Sequence, residues 1–250
     1  MADNPPWKHV WITGASSGLG EHTARQLADM GCKVSICARS KDKLDAIAAD
    51  SPNLFAYEAD VTDGDRLKEL VNEIEAEHGP IDLTVFCAGA WFQNSLSDSQ
   101  IENFEKTMDV NVTGVVRSVQ AVLPKMVERG KGHISWVSSV AGYGGLPNSA
   151  AYGASKSALI HLAEGSYNEL ARKGINLSVI NPGFVKTPMT DKNDFPMPFL
   201  MQPEDAARKM VEGLKAKKFE IAFPWQLVWI LKLINHLPYW LYLRIINKVA

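Results

Sequence analysis

The chain has 250 residues, 46% of them hydrophobic and 22% charged, with a formal net charge of −2. That is ample material for one globular core, and the near-neutral balance gives no electrostatic reason to expect a nucleic-acid partner. Cys32, Cys37 and Cys87 are odd in number and lie on or beside apolar runs. They read as buried small hydrophobes in a reducing compartment, not as a disulfide framework or a zinc site, and no metal is expected. The opening MADNPPWKHV has no basic segment followed by an apolar run, so secretion is not expected and the cytoplasm is.

The run His9 to Thr13 reads as a buried strand entering Gly14-Ala15-Ser16-Ser17-Gly18-Leu19-Gly20, after which Thr23, Ala24, Leu27 and Met30 set a helical period. Strand, glycine turn and helix in that order make a phosphate site: bare backbone approaches a pyrophosphate, and the helix's positive end complements its charge. Lys33 to Ala38 is the second strand and ends at Arg39-Ser40. In a dinucleotide fold that strand end meets the adenosine ribose. An arginine there favours the 2′-phosphate of NADP over the free hydroxyl of NAD, the alternative being a solvated loop charge.

A helix over Lys41 to Ala49, a strand at Leu54 to Tyr57 and the turn Asp60-Val61-Thr62-Asp63 follow, with Thr62 or Asp63 placed to cap a helix reaching His78. Ile81 to Cys87 is a fourth strand running into Ala88-Gly89, small residues that let a ring or ribose lie on backbone. Strands separated by helices at this spacing predict one α/β domain: a Rossmann-type, doubly wound parallel sheet with helices on both faces and ligand at the strands' carboxyl ends. Gln100 to Arg129 reads as one long helical region with Asn111 buried among valines. A buried amide needs partners, so Asn111 is either satisfied structurally or bends the helix and binds water.

Gly132 to Ser139 is the fifth strand and delivers Ser138 and Ser139 to the sheet edge that holds the glycine turn. Tyr152 and Lys156 then lie four residues apart on one face of a helix reaching Arg172. A phenol has a pKa of about 10 in water, and a fixed neighbouring cation is expected to lower it, making Tyr152 a general acid or base. Alone, such a pair is usually an ordinary surface helix. Ile175 to Ile180 is the sixth strand, followed by Asn181-Pro182-Gly183-Phe184-Val185-Lys186-Thr187. After a helix opened by Gln202-Pro203-Glu204-Asp205, Phe219 to Phe223 is the seventh.

Taken together, TGASSGLG at Thr13 to Gly20, Asp60-Val61, Ala88-Gly89, Asn111, Ser139, Tyr152-x-x-x-Lys156 and Pro182-Gly183-x-x-x-Thr187 resemble the short-chain dehydrogenase/reductase family over most of the chain before the C-terminal segment. The resemblance implies a sheet of about seven strands and an NADP(H)-dependent oxidoreductase that interconverts a carbonyl and a primary or secondary alcohol. It makes Tyr152 the proton donor, Lys156 the group that depresses its pKa and binds the nicotinamide ribose, Ser139 the group orienting the substrate oxygen, and Asn111 the holder of a water linked to Lys156. It assigns cofactor binding to Gly14, Ser16, Ser17, Gly18, Leu19, Gly20, Arg39, Ser40, Asp60, Val61, Ala88, Gly89, Pro182, Gly183, Val185 and Thr187, besides Tyr152 and Lys156. Two positions depart from the family pattern: Cys87 stands where an asparagine is usual, and Ser17 where some NADP-using relatives carry a basic residue. A homodimer or homotetramer is expected.

Residues 1–223 are read as the catalytic domain and 224–250 as an apolar, aromatic extension. Lys232, Asn235, His236 and Pro238 interrupt it, so it predicts two short amphipathic helices broken at Pro238 and not a transmembrane span. With the apolar Met189 to Met201 loop it suggests a hydrophobic, lipid- or steroid-like substrate. Lid, dimer interface, membrane surface and packing on its own domain are all open to it; pocket wall combined with surface contact to a membrane is the expectation. Two rival functions are a 3-oxoacyl reductase acting on carrier-bound chains and a catalytically silent NADP-binding sensor or scaffold.

Overall fold

The structure, a computed structural model, describes residues 5–92 and 100–246. Seven parallel strands form one sheet in the order β3-β2-β1-β4-β5-β6-β7. They are β1 His9–Thr13, β2 Lys33–Ala38, β3 Leu54–Glu58, β4 Leu83–Phe86, β5 Gly132–Val137, β6 Ile175–Pro182 and β7 Glu220–Phe223. Helices α1 Gly18–Asp29, α2 Lys41–Ala48 and α7 Pro203–Lys215 pack on one face, and α3 Gly64–His78, α5 Gly114–Arg129 and α6 Ala150–Arg172 on the other. Asp63 caps α3 through its carboxylate, which accepts from the Arg66 amide at 3.0 Å.

Strand periodicity divides the core. Along β1, Val10 and Ile12 point into the cluster with Leu27, Leu44, Met210 and Leu214, while Trp11 points into the opposite cluster with Leu70, Ile74, Met126 and Leu159. Both faces are buried, as a parallel sheet requires. The chain runs outward from β1 to β3 and then returns to β4 on the other side of β1. The crevice at that reversal lies at the strands' carboxyl ends.

Two elements differ from expectation and a third agrees with it. The helical region through Asn111 is not continuous: α4 Ile101–Met108 passes into a π turn, Asp109–Thr113, before α5. Strand β5 stops at Val137, because Ser139 begins a 3-10 turn over Val140–Gly142 and its hydroxyl accepts from the Ala141 amide at 3.1 Å. The extension forms α8 Trp225–Asn235 and α9 Tyr239–Ile246, the break falling at Pro238 as the sequence indicated; residues 247–250 lie outside the described residues. Cys32 and Cys37 are buried and Cys87 half-buried, all as free thiols.

Candidate active site

The glycine turn after β1 has the shape of a cradle. Gly14 and Gly18 have φ of +68° and +57°, in the left-handed region that strains other residues. A Cβ on Gly14 would come within 2.5 Å of the Ala88 amide nitrogen, so the ends of β1 and β4 touch through bare backbone at the crevice. A Cβ on Gly18 would lie 2.9 Å from the Thr187 side chain, so the loop after β6 arches back over the turn. Ser17, the residue preceding α1, makes no side-chain capping bond. Nothing from Ser17 therefore covers the first amides of α1, which open toward the crevice and suit an anion.

A cleft of about 670 Å³ runs along the carboxyl ends of the strands, a size suited to a small-molecule cofactor with its substrate. Its lining includes Gly14, Ser16, Ser17, Gly18, Leu19 and Gly20 from the turn, and Arg39 and Ser40 from the end of β2. Asp60, Val61, Ala88 and Gly89 follow from the ends of β3 and β4. Pro182, Gly183, Val185 and Thr187 close the side beyond β6. Every expected cofactor residue thus borders one cavity. The glycine cradle and this lining fit a dinucleotide lying extended across the strand ends. Arg39 is exposed, and among the described residues no carboxylate pairs with it. Lys43, on the first turn of α2, borders the same end and was not singled out in the sequence, where a cation on a helix surface looks like any solvated charge.

At the other end, Ser139, Tyr152 and Lys156 meet. Ser138 is excluded as the substrate-facing serine by its bonding: its buried hydroxyl donates to the Lys156 carbonyl at 2.6 Å, tying β5 to α6. The Ser139 hydroxyl is held less tightly, donating to the Pro182 carbonyl at 3.3 Å. Lys156 is 4% exposed, its ammonium donates to the Val137 carbonyl at 2.9 Å, and Nζ lies 5.4 Å from the centre of the Tyr152 ring.

Burial reverses the titration expected for this pair. Loss of water pushes the Tyr152 phenol up from its ordinary value, and the Ser139 hydroxyl beside it pulls the other way. Burial lowers the Lys156 ammonium to about 8, with a small opposing contribution from Cys87. Tyr152 is therefore a protonated phenol at neutral pH and not a ready phenolate. Desolvation outweighs the hydrogen bond from Ser139.

Asn111 is buried in the π turn, and its side chain is satisfied by protein. Its Oδ1 accepts from the Ala90 amide at 2.7 Å, and its Nδ2 donates to the Ala90 carbonyl at 3.0 Å and to Ser155 Oγ at 2.9 Å. Ser155 in turn donates to the Tyr152 carbonyl at 2.7 Å. Both amide hydrogens are spent on protein, so a water held by Asn111 would have to donate to one of its oxygens. What the side chain does is fix the loop after β4 against α6. A π turn within a helix often accompanies such a functional position.

Around the substrate end, Trp91, Phe92, Val110 and Pro188 supply apolar lining that the sequence pattern did not reveal, beside Met189 from the loop singled out in the sequence. Of the Met189 to Met201 loop, Met189 and Thr190 line the cleft and the remaining described residues do not. The extension departs further from expectation: among the described residues none of it lines the cleft. It packs instead behind the loop that follows Ser139. Leu227 and Val228 bury against Val140, with Tyr143 and Phe184 beside them, and the Tyr242 hydroxyl donates to the Gly145 carbonyl at 2.8 Å. Glu220 joins the pieces, accepting from the Tyr143 hydroxyl at 2.6 Å and from Asn181 Nδ2 at 3.0 Å while pairing with Lys232. Gly183 admits α8, since a Cβ there would lie 2.8 Å from the Leu227 side chain and 3.0 Å from Pro224.

Comparison with known proteins agrees with this geometry. The family model described as short chain dehydrogenase matches residues 8–196. An uncharacterized oxidoreductase of Myxococcus xanthus is 39% identical over 225 residues, covering 88% of this chain and 89% of the relative. One from Staphylococcus haemolyticus is 37% identical over 205 residues, covering 81% and 89%. The crystal structure of a short-chain dehydrogenase from Streptomyces avermitilis superposes with a TM-score of 0.81 at 28% identity, covering 90% of this chain and 91% of that one. The chain therefore belongs to the short-chain dehydrogenase family, and it is an oxidoreductase built to work with a nicotinamide cofactor.

Proposed function

We propose that this chain is an NADP(H)-dependent oxidoreductase that interconverts a carbonyl and an alcohol on a hydrophobic substrate. The observation that carries the reading is the convergence of Ser139, Tyr152 and Lys156 at one end of a cleft whose other end is bordered by Arg39 and Lys43. When bound, NADPH supplies the hydride. The protein supplies position and a proton. Its preference for the phosphorylated cofactor is supported by two cations and the absence of an acidic residue at the end of β2, where a carboxylate would suit a free ribose hydroxyl.

In the direction of reduction, the Ser139 hydroxyl turns from the Pro182 carbonyl to donate to the substrate oxygen. The Tyr152 hydroxyl gives that oxygen its proton as the carbonyl becomes an alcohol. A phenol held protonated by burial is poised for this transfer at neutral pH. The phenolate left behind lies beside the Lys156 ammonium, which is shielded from solvent, so the attraction between the charges is stronger than in water. Lys156 thus acts on the charge that develops during the reaction more than on the resting acid. Trp91, Phe92 and Met189 favour an apolar substrate body.

The test is a panel of aldehydes, ketones, 3-oxoacyl thioesters and steroids, offered with NADPH and with NADH. Turnover is expected with NADPH on the apolar members and is expected to disappear in Tyr152→Phe. Preference for NADH, or turnover confined to small hydrophilic sugars, would overturn the corresponding part of the reading.

A further inference from the structure

The two helices of the extension bury one side and leave the other bare. Their inner side is anchored by Leu227, Val228, Tyr242 and Ile246 and by the Lys232–Glu220 pair. Their outer side exposes Trp225 (68%), Trp229 (70%) and Leu233 (68%), spaced four residues apart along α8, and Tyr239 (83%), Trp240 (62%) and Leu243 (52%) on α9. Monomeric proteins seldom leave large rings grouped in water without a partner.

Charge and chemistry choose the partner. From Trp225 to Ala250 the sequence holds Lys232, Arg244 and Lys248 and no aspartate or glutamate. The Arg244 guanidinium sits over the Trp240 ring, 5.7 Å from its centre, and no carboxylate pairs with it among the described residues. Indole and phenol rings beside an unpaired cation match the headgroup level of a bilayer, where the ring body is buried and its polar edge stays wet. A two-fold contact with a second copy would set this acid-free surface against itself and leave Arg244 without a counter-charge. Length fixes the mode of contact. Helices of 11 and 8 residues are too short to cross the roughly 30 Å apolar layer, and no helix among the described residues is long and apolar enough to do so.

We propose that α8 and α9 form a docking surface for an anionic lipid bilayer, with the helices lying in the headgroup plane and the outer aromatic face inserted. The inner face keeps the pair attached to the loop behind Ser139, so the catalytic cleft stays beside the lipid. Docking of this kind does not depend on the identity of the cofactor or the substrate.

Flotation of the full chain with phosphatidylcholine vesicles, with and without phosphatidylglycerol, tests the assignment without any measurement of turnover. The chain is expected to float with the anionic vesicles about 5-fold more strongly than with neutral ones, since a basic residue such as Arg244 at that surface adds about 1 kcal/mol. Raised salt should narrow that gap. Trp229→Glu with Leu233→Glu changes only exposed positions, so it should keep the thermal midpoint and lose at least ~10-fold in flotation. The proposal fails if the wild-type chain stays behind with both vesicle types, or if the double variant floats like wild type. It fails in favour of self-association if, without lipid, the double variant converts a larger wild-type oligomer into a smaller one.

Discussion

The two halves of the cleft are made in different ways. At the cofactor half the chain presents backbone: glycines at positive φ, strand ends in contact and helix amides open to an anion. At the substrate half it presents side chains carried by α6 and by separate loops, of which the one after Ser139 is held from behind by α8 and α9. Backbone shape tolerates very few residue types, so the first half is demanding in sequence. The second half keeps its reacting groups fixed and is free to change everything around them.

If that division is sound, a change in one half should leave the other nearly untouched. The largest effect expected is from Tyr152→Phe. Loss of the proton donor should lower kcat by about 10²- to 10⁴-fold, while the Kd for NADPH, from fluorescence titration, stays within about twofold. A comparable loss of binding would mean that the halves are not separable.

Arg39→Ala attacks the opposite half. Charge-assisted bonds to a phosphate are worth about 1.5 to 3 kcal/mol, so kcat/KM with NADPH should fall about 10- to 100-fold while kcat/KM with NADH barely moves. Equal losses with both cofactors would reduce Arg39 to a general surface charge. Replacing Lys43 by Ala should give a smaller loss with the same selectivity.

The halves should also respond differently to pH. Lys156 titrates near 8, so raising the pH through that value removes the cation that stabilises the nascent phenolate. The rate of reduction should fall on that alkaline side, before Tyr152, whose pKa is raised, loses its own proton. NADPH affinity set by a guanidinium should stay flat over the same range, because arginine does not titrate there. A rate that holds level up to the range where Tyr152 ionises would remove Lys156 from the chemical step.

The smallest effect is reserved for the support behind the loop. An alanine at Gly144 would put its Cβ 2.8 Å from the Tyr242 hydroxyl oxygen and 3.0 Å from Asn235 Oδ1. Both are the far ends of side chains that can yield, so the cost should be about 1 kcal/mol, near the low end for overpacking. Thermal denaturation should show a small downward shift, and KM for the carbonyl substrate should change more than the Kd for NADPH.

The same contrast explains what the sequence could disclose. The glycine turn, the strand order and Arg39 were legible because each is a local demand: a residue type at a stated place on a strand–turn–helix unit. Lys43 carries no such mark, since one more lysine on an exposed helix turn is ordinary. Trp91 and Phe92 lie in a connection without periodicity, and nothing local says that they face a cavity. The rise in the Tyr152 pKa depends on how much water the assembled fold excludes, which no spacing records. Asn111 showed that a buried amide needed partners; that these are Ala90 and Ser155 follows only from how α6 and the loop after β4 meet. The extension was legible as two helices. Its inner contacts were not, because Lys232 finds Glu220 through the fold and not through a repeat.

Gly183 stands between the cleft and α8. It borders the cavity on one side, and on the other its missing side chain is the space into which α8 settles. Any larger residue there would press on Leu227 and Pro224 and lift α8 from its seat. A single hydrogen atom thus leaves room for α8 to settle, and a scan of position 183 should show the thermal midpoint falling as the side chain grows.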